Sequence, residues 1–207
     1  RAAELIQSFK QVAVDQTSDE WRQFDLGEYI KELLRSLGPS LKTTTHPVIV
    51  NCPPGFLVSG YPGALAQILT NLLLNSLTHG YDPGMTGELR IDITESERGL
   101  VRIKYSDDGK GVPKADLAKI LDPFFTTRRG SGGSGLGSHL VFNLITQTLG
   151  GAIAVESEPG RGVSFMIEFP KNISQPRTEP PAHRSNDDGQ TTAATMIAAP
   201  GDEGGPG

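Results

Sequence analysis

Three stretches of this 207-residue chain combine residue types able to do chemistry. The first holds Asn71 and Asn75, four residues apart in a segment whose apolar residues recur at helical spacing. At about 100° per residue, the two carboxamides fall about 40° apart on one helical flank. Leu65, Ile68, Leu69, Leu72 and Ser76 form the neighbouring stripe, which the periodicity turns inward. Two amide oxygens aimed the same way suit a hard cation such as Mg2+, which keeps waters and takes few protein ligands beside phosphates. Two surface asparagines on an amphipathic helix would give the same pattern.

The second stretch is Tyr105-Ser106-Asp107-Asp108-Gly109-Lys110-Gly111-Val112-Pro113, at the end of a predicted strand. Gly109 and Gly111 allow close approach of the backbone to a flat ligand, or a positive φ. Asp107 can accept a hydrogen bond from an exocyclic amine of the kind an adenine ring offers. An ordinary Asp-Gly turn is the plain alternative. The third stretch runs from Asp122-Pro123-Phe124-Phe125-Thr126-Thr127-Arg128-Arg129 into Gly130-Ser131-Gly132-Gly133-Ser134-Gly135-Leu136-Gly137 and then a helix. Successive glycines before a helix expose backbone N–H groups to an anion. Arg128 and Arg129 add positive charge, and the paired phenylalanines at the base point to a hinged lid rather than a linker.

The elements that must hold these stretches follow from pattern. Asp25 and Glu28 have capping-box spacing ahead of a helix through Tyr29, Ile30, Leu33, Leu34 and Leu37, which Gly38-Pro39 stops. Val48–Asn51 and Phe56–Ser59 read as short strands separated by Pro53-Pro54-Gly55. Pro62 suits the first turn of a helix reaching about His79. Glu88–Glu95 and Leu100–Ser106 read as paired strands, His139–Leu149 as a helix ended by Gly150-Gly151, and Ala152–Ser157 with Val163–Phe169 as a hairpin around Pro159-Gly160. Residues 1–16 place Leu5, Ile6, Phe9, Val12 and Ala13 mainly on one helical face, as at the end of a longer helix. Residues 171–207 are rich in Pro, Gly, Ser, Asp and Thr and are expected to be a disordered tail or linker. The fold class expected for the ordered part is α/β, with helices on one face of a mixed sheet.

Composition narrows the functions. A net charge of −5 without a basic stripe argues against nucleic acid as the main partner. The single Cys52 excludes an internal disulfide and suits a reducing compartment. No apolar run is long enough to span a membrane, and no signal-peptide layout is present. With no initiator Met, the chain is expected to be part of a longer protein. Gly130-x-Gly132-x-x-Gly135 fits a dinucleotide-binding fingerprint literally, but it follows Pro123–Arg129 rather than a buried strand opening a βαβ unit. A P-loop sequence is absent.

Taken together and in this order, Gln67–Ser76, Asp107–Gly111, Pro123–Thr127 and Gly133–Gly137, followed by Gly160-Arg161-Gly162, resemble the catalytic domain of sensor histidine kinases. That domain is similar to those of gyrase, the mismatch-repair ATPases and the heat-shock chaperone. The resemblance covers residues 22–170, and residues 1–16 resemble the end of a helical dimerisation and phosphoacceptor domain. It implies a two-layer sandwich of the Bergerat type that holds ATP under a mobile lid. It also implies Asn75 as a Mg2+ ligand and Asn71 as a support for the metal or phosphates. By the same resemblance, Asp107 reads the adenine amine, and Gly109 and Gly111 line the base. Thr126, Thr127, Arg128, Gly133, Gly135, Leu136 and Gly137 belong to the phosphate and lid region.

Hydrolysing relatives place a glutamate where Asn71 stands, and a carboxamide takes no proton from water at neutral pH. ATP is therefore expected to be held for transfer to a histidine, with relay to a response regulator receiver domain and with homodimerisation of the full-length protein. His46, His79, His139 and His183 all lack the expected phosphoacceptor setting. The acceptor is accordingly expected outside this chain, which would bind ATP without phosphorylating itself. The resemblance also implies a cytoplasmic domain, in a full-length protein either free or anchored in the inner membrane. Ser76 and Ser138 depart from common alanine and leucine, and Val163 from a common threonine. A degenerate nucleotide-binding signalling module and a serine kinase of the anti-sigma-factor type are the alternatives.

Overall fold

Asp25 caps the first helix as its spacing predicts. Its carboxylate accepts the Glu28 backbone N–H at 3.0 Å, satisfying one of the donors a helix start leaves open. A computed structural model of the chain describes residues 20–41, 46–117, 119–120 and 137–174. The elements in chain order are β1 (Arg22–Asp25), α1 (Leu26–Ser36), α2 (Gly38–Leu41), β2 (Val48–Asn51), β3 (Leu57–Gly60) and α3 (Pro62–Asn75). They continue with β4 (Leu89–Glu95), β5 (Leu100–Asp107), α4 (Lys114–Leu117), α5 (Gly137–Asn143), β6 (Ala152–Ser157) and β7 (Val163–Pro170). Helix α3 runs on into a π-helical turn, Ser76–Gly80, and α5 into another, Leu144–Thr148.

Five strands form a mixed sheet in the order β2-β4-β5-β7-β6, parallel only between β2 and β4. Alternation gives it one apolar face. Leu89, Ile91 and Ile93, then Val101, Ile103 and Tyr105, then Phe165, Ile167 and Phe169 are all buried. On the other face, Arg102 pairs with Glu168 across β5 and β7 in an exposed ion pair. Such a pair contributes little to stability. Against the apolar face lie Leu26, Ile30 and Leu33 of α1, Leu65, Ile68, Leu69 and Leu72 of α3, and Val141 of α5. The result is the expected two-layer α/β sandwich with its helices on one side.

Helix α3 is buried on more than the stripe its periodicity marks. Ala64, Ala66, Thr70 and Leu73 are covered as well, because α5 packs along its other flank. Short-range signals missed some of the architecture. β1 pairs antiparallel with β3, from Arg22 opposite Gly60 to Asp25 opposite Leu57, in a separate two-stranded sheet. The strands flanking Pro53-Pro54-Gly55 therefore belong to different sheets. Gly38-Pro39 ends α1 but also opens the short helix α2, since proline's fixed φ suits a first helical turn. After β7, the Ser59 N–H donates to Lys171 O at 3.0 Å and the Ile173 N–H to Ser59 O at 2.8 Å. Trp21 Nε1–H closes this corner on Ile173 O at 2.8 Å. Among the described residues, no helix is long and apolar enough to cross a membrane.

Candidate functional site

Strand β5 turns Val101, Ile103, Tyr105 and Asp107 toward the core in strict alternation. The fourth inward position thus carries a carboxylate, 7% exposed, and a charge so placed needs donors. It has three. Oδ1 accepts the backbone N–H of Gly109 at 3.1 Å and of Val163 at 3.2 Å. Oδ2 accepts the hydroxyl of Ser76 at 2.5 Å. A carboxylate offers about four lone-pair sites, so Oδ2 retains capacity for one further donor.

The glycines around Asp107 let backbones meet. A methyl group on Gly109 would lie 2.3 Å from Gly80 O, and one on Gly111 2.2 Å from Glu158 O. On Gly162 it would lie 1.9 Å from Asp107 O. Gly111 and Gly162 also have positive φ, 70° and 78°. The π-helical turn after α3 belongs to the same arrangement, because it delivers the Gly80 carbonyl to the Lys110 N–H at 2.8 Å. Ser157 secures the far side. Its hydroxyl donates to Gly162 O at 2.7 Å and accepts the Val112 N–H at 2.8 Å. Gly109 and Gly111 are therefore required by the packing that positions Asp107. Beside it, Asp108 Oδ1 accepts from the Tyr81 hydroxyl at 2.9 Å and the Glu88 N–H at 2.8 Å. Burial first, and then the Asp108 bond, pushes the Tyr81 phenol well above its ordinary value. The His46 ring stacks on Tyr81 at 3.9 Å.

Asn71 and Asn75 sit one turn apart near the end of α3, both half-buried. Asn71 Nδ2 donates to Gln67 O at 2.8 Å, which leaves its Oδ1 as the free end of the amide. That oxygen faces the first residue of α5. A methyl group on Gly137 would lie 2.9 Å from Asn71 Oδ1 and 3.9 Å from Asn75 Oδ1. The structure thus brings Asn71, Asn75 and Gly137 together at one place, and Asp107, Gly109 and Gly111 at another. Ser76 joins the two, following Asn75 in sequence and bonded to Asp107. Carboxamide oxygens and an unsaturated carboxylate fit a divalent cation and an adenine amine, respectively. Among the described residues, no cluster of three His, Cys, Asp or Glu side chains could hold a metal ion. A cation here would rely on amide, phosphate and water oxygens. Thr126, Thr127, Arg128, Gly133, Gly135 and Leu136 lie outside the described residues.

Sequence reasoning passed over Ser76 as a tolerated departure. The structure shows its hydroxyl on Asp107 and buried, with the Tyr105 hydroxyl donating to it at 2.9 Å. A polar residue inside an apolar helical stripe was the available signal. Gly162, seen only as one residue of a motif, proves to be a direct backbone neighbour of Asp107.

Comparison with known proteins bears on the same residues. Residues 60–173 match the family described as histidine kinase-, DNA gyrase B-, and HSP90-like ATPases. Sensor histidine kinase ZraS of Klebsiella oxytoca is 30% identical over 157 residues, covering 75% of this chain and 33% of ZraS. Sporulation kinase A of Bacillus subtilis is 37% identical over 114 residues, 55% of this chain and 18% of that protein. The chain thus spans a third or less of the length of these relatives. Among solved structures, the catalytic domain of histidine kinase ThkA superposes with a TM-score of 0.63 at 26% identity, covering 74% of this chain and 97% of that one. ThkA also occurs in a structure in complex with response regulator protein TrrA.

Proposed function

The chain belongs to the histidine kinase-, DNA gyrase B-, and HSP90-like ATPases and carries the ATP-binding catalytic domain of the sensor histidine kinase type; from that premise we propose that it transfers the γ-phosphoryl group of ATP to a histidine outside this chain. The observation that carries this reading is Asp107. It is a buried carboxylate with an acceptor position to spare, one hydrogen bond from the helix that bears Asn71 and Asn75. Asp107 accepts the adenine amine, and the backbone packing at Gly109, Gly111 and Gly162 holds it in place. The Asn71 and Asn75 carboxamides face the phosphates. Mg2+, with Asn75 as its protein ligand, supplies charge neutralisation when bound. Gly137, together with Thr126, Thr127, Arg128, Gly133, Gly135 and Leu136, is assigned to phosphate binding on the strength of the family motif.

Asn71 offers no base to activate water, so the site favours positioning and transfer over hydrolysis. In the transfer, the bond between the γ-phosphorus and the β,γ-bridging oxygen breaks. A bond from phosphorus to an imidazole nitrogen forms, and ADP leaves. The acceptor belongs to the dimerisation domain of the full-length homodimer. The phosphoryl group then passes to a response regulator receiver domain, a partner of the kind ThkA has in TrrA. The full-length protein is proposed to present this domain to the cytoplasm, from the inner membrane or free of it.

The test is to incubate the chain and a longer form carrying the upstream segment with γ-labelled ATP. Acid-labile label on the longer form, with slow phosphate release from both, is the expected result. Rapid phosphate release with no protein label would count against transfer and in favour of an ATPase.

A further inference from the structure

Asp107 is held at Oδ2 by two hydroxyls in series, and their polarity is set by the acceptor-only carboxylate at the end of the series. Ser76 follows Asn75 at the point where α3 gives way to the π-helical turn, and it is 4% exposed. A helical serine ordinarily turns its proton back to the carbonyl four residues earlier, here Leu72. That carbonyl already accepts the Ser76 backbone N–H and has the Tyr105 hydroxyl at 3.2 Å. Tyr105 is fully buried, and its hydroxyl lies 2.9 Å from Ser76 Oγ. The Asp107 carboxylate can only accept, so at 2.5 Å the Ser76 proton lies on Oδ2, and the serine oxygen in turn accepts from Tyr105, whose single proton is shared with Leu72 O. Burial pushes the Tyr105 phenol well above its ordinary value, which keeps this donor protonated through the neutral range.

An aspartate's terminal torsion is broad and roughly two-fold. Two backbone N–H groups at Oδ1 and one hydroxyl at Oδ2 remove that freedom. Each hydrogen-bond partner of the carboxylate among the described residues is a donor, so Asp107 presents an acceptor to the base.

We propose that Tyr105 and Ser76 are positioning residues for base selection, fixing Asp107 so that its Oδ2 accepts an exocyclic amine. This rests on the reading of Asp107 as the adenine contact. It predicts where selectivity resides: in discrimination between ATP and purine riboside triphosphate, which lacks the amine.

The experiment measures binding of both nucleotides to the whole chain and to Ser76→Ala, Tyr105→Phe, the double variant and Asp107→Asn, with thermal unfolding recorded for each. Ser76→Ala and Tyr105→Phe should each weaken ATP by about three- to tenfold, the loss expected for one ordinary hydrogen bond. The amine-free nucleotide should be unchanged, and the double variant should lose little more than either single one. A merely structural role would weaken both nucleotides in parallel, and that outcome overturns the proposal. So does a preference for ATP that collapses in Asp107→Asn but stays intact in the two hydroxyl variants. A preference untouched in Asp107→Asn removes the adenine reading itself, and the proposal with it.

Discussion

Gly160 and Gly162 form a natural pair for testing whether backbone packing builds the site. Both have positive φ, 79° and 78°. A methyl group on Gly160 would meet nothing within 4 Å, whereas on Gly162 it would lie 1.9 Å from the Asp107 carbonyl oxygen. Gly160→Ala should therefore cost only the left-handed penalty, about 1–2 kcal/mol, partly offset by a less free unfolded chain. Gly162→Ala carries that penalty and must also push neighbouring backbones apart by about 1 Å or more, since carbon and oxygen settle at about 3.3 Å. That displacement stretches the Val163 N–H bond to Asp107 and the end of the β5–β7 ladder, so the total should reach about 3–5 kcal/mol. At a slope of about 2 kcal/mol per molar urea, the two midpoints should differ by about 0.5–2 M. ATP titration of the folded variants should show Gly160→Ala close to the parent and Gly162→Ala strongly weakened. Equal midpoints, or full ATP binding by Gly162→Ala, would refute the argument that this close approach positions Asp107.

Asn75→Ala should remove the gain in ATP affinity that Mg2+ gives while leaving metal-free binding nearly unchanged; titrations with and without Mg2+ read this directly. Leu72→Ala, fully buried under the site on α3, should cost about 2–5 kcal/mol by urea unfolding. The pH dependence of stability has a defined sign. The folded-state value of the Tyr105 phenol is raised by burial, so the folded chain holds that proton more tightly than the unfolded one. Its contribution is complete below about pH 10 and lost as pH rises beyond it, at up to about 1.4 kcal/mol per pH unit. Tyr105→Phe should flatten the alkaline limb of stability against pH, and an unchanged limb would show that the phenol is not buried as described.

What the sequence disclosed was local. The Asp25 cap, the stripe of α3 and the strands β4 and β5 each depend on neighbours within a few residues, and the structure shows each where expected. The structure adds that β5 runs one residue further than predicted, and its alternation puts Asp107 on the core face, where a carboxylate without donors would be untenable. The pairing of β1 with β3 was not legible, because Arg22–Asp25 is too short for a periodic signal and its partner lies more than thirty residues away. The parallel pairing of β2 with β4 is likewise a long-range choice. At the site, Asn71, Asn75 and Asp107 could be named from type and spacing. The Tyr105–Ser76–Asp107 chain could not, since it joins a helix end to a strand end that share no sequence neighbourhood. The same holds for Gly162, whose need for a missing side chain is set by Asp107, more than fifty residues earlier.

The central claim is tested most directly by calorimetric titration of the chain with ATP, with and without Mg2+, with NAD as a control and Asp107→Asn alongside. Saturable ATP binding that strengthens with Mg2+ and falls sharply in Asp107→Asn, with NAD silent, is the predicted result. A folded chain that binds no adenine nucleotide, or binds it equally well without the Asp107 carboxylate, would contradict the account.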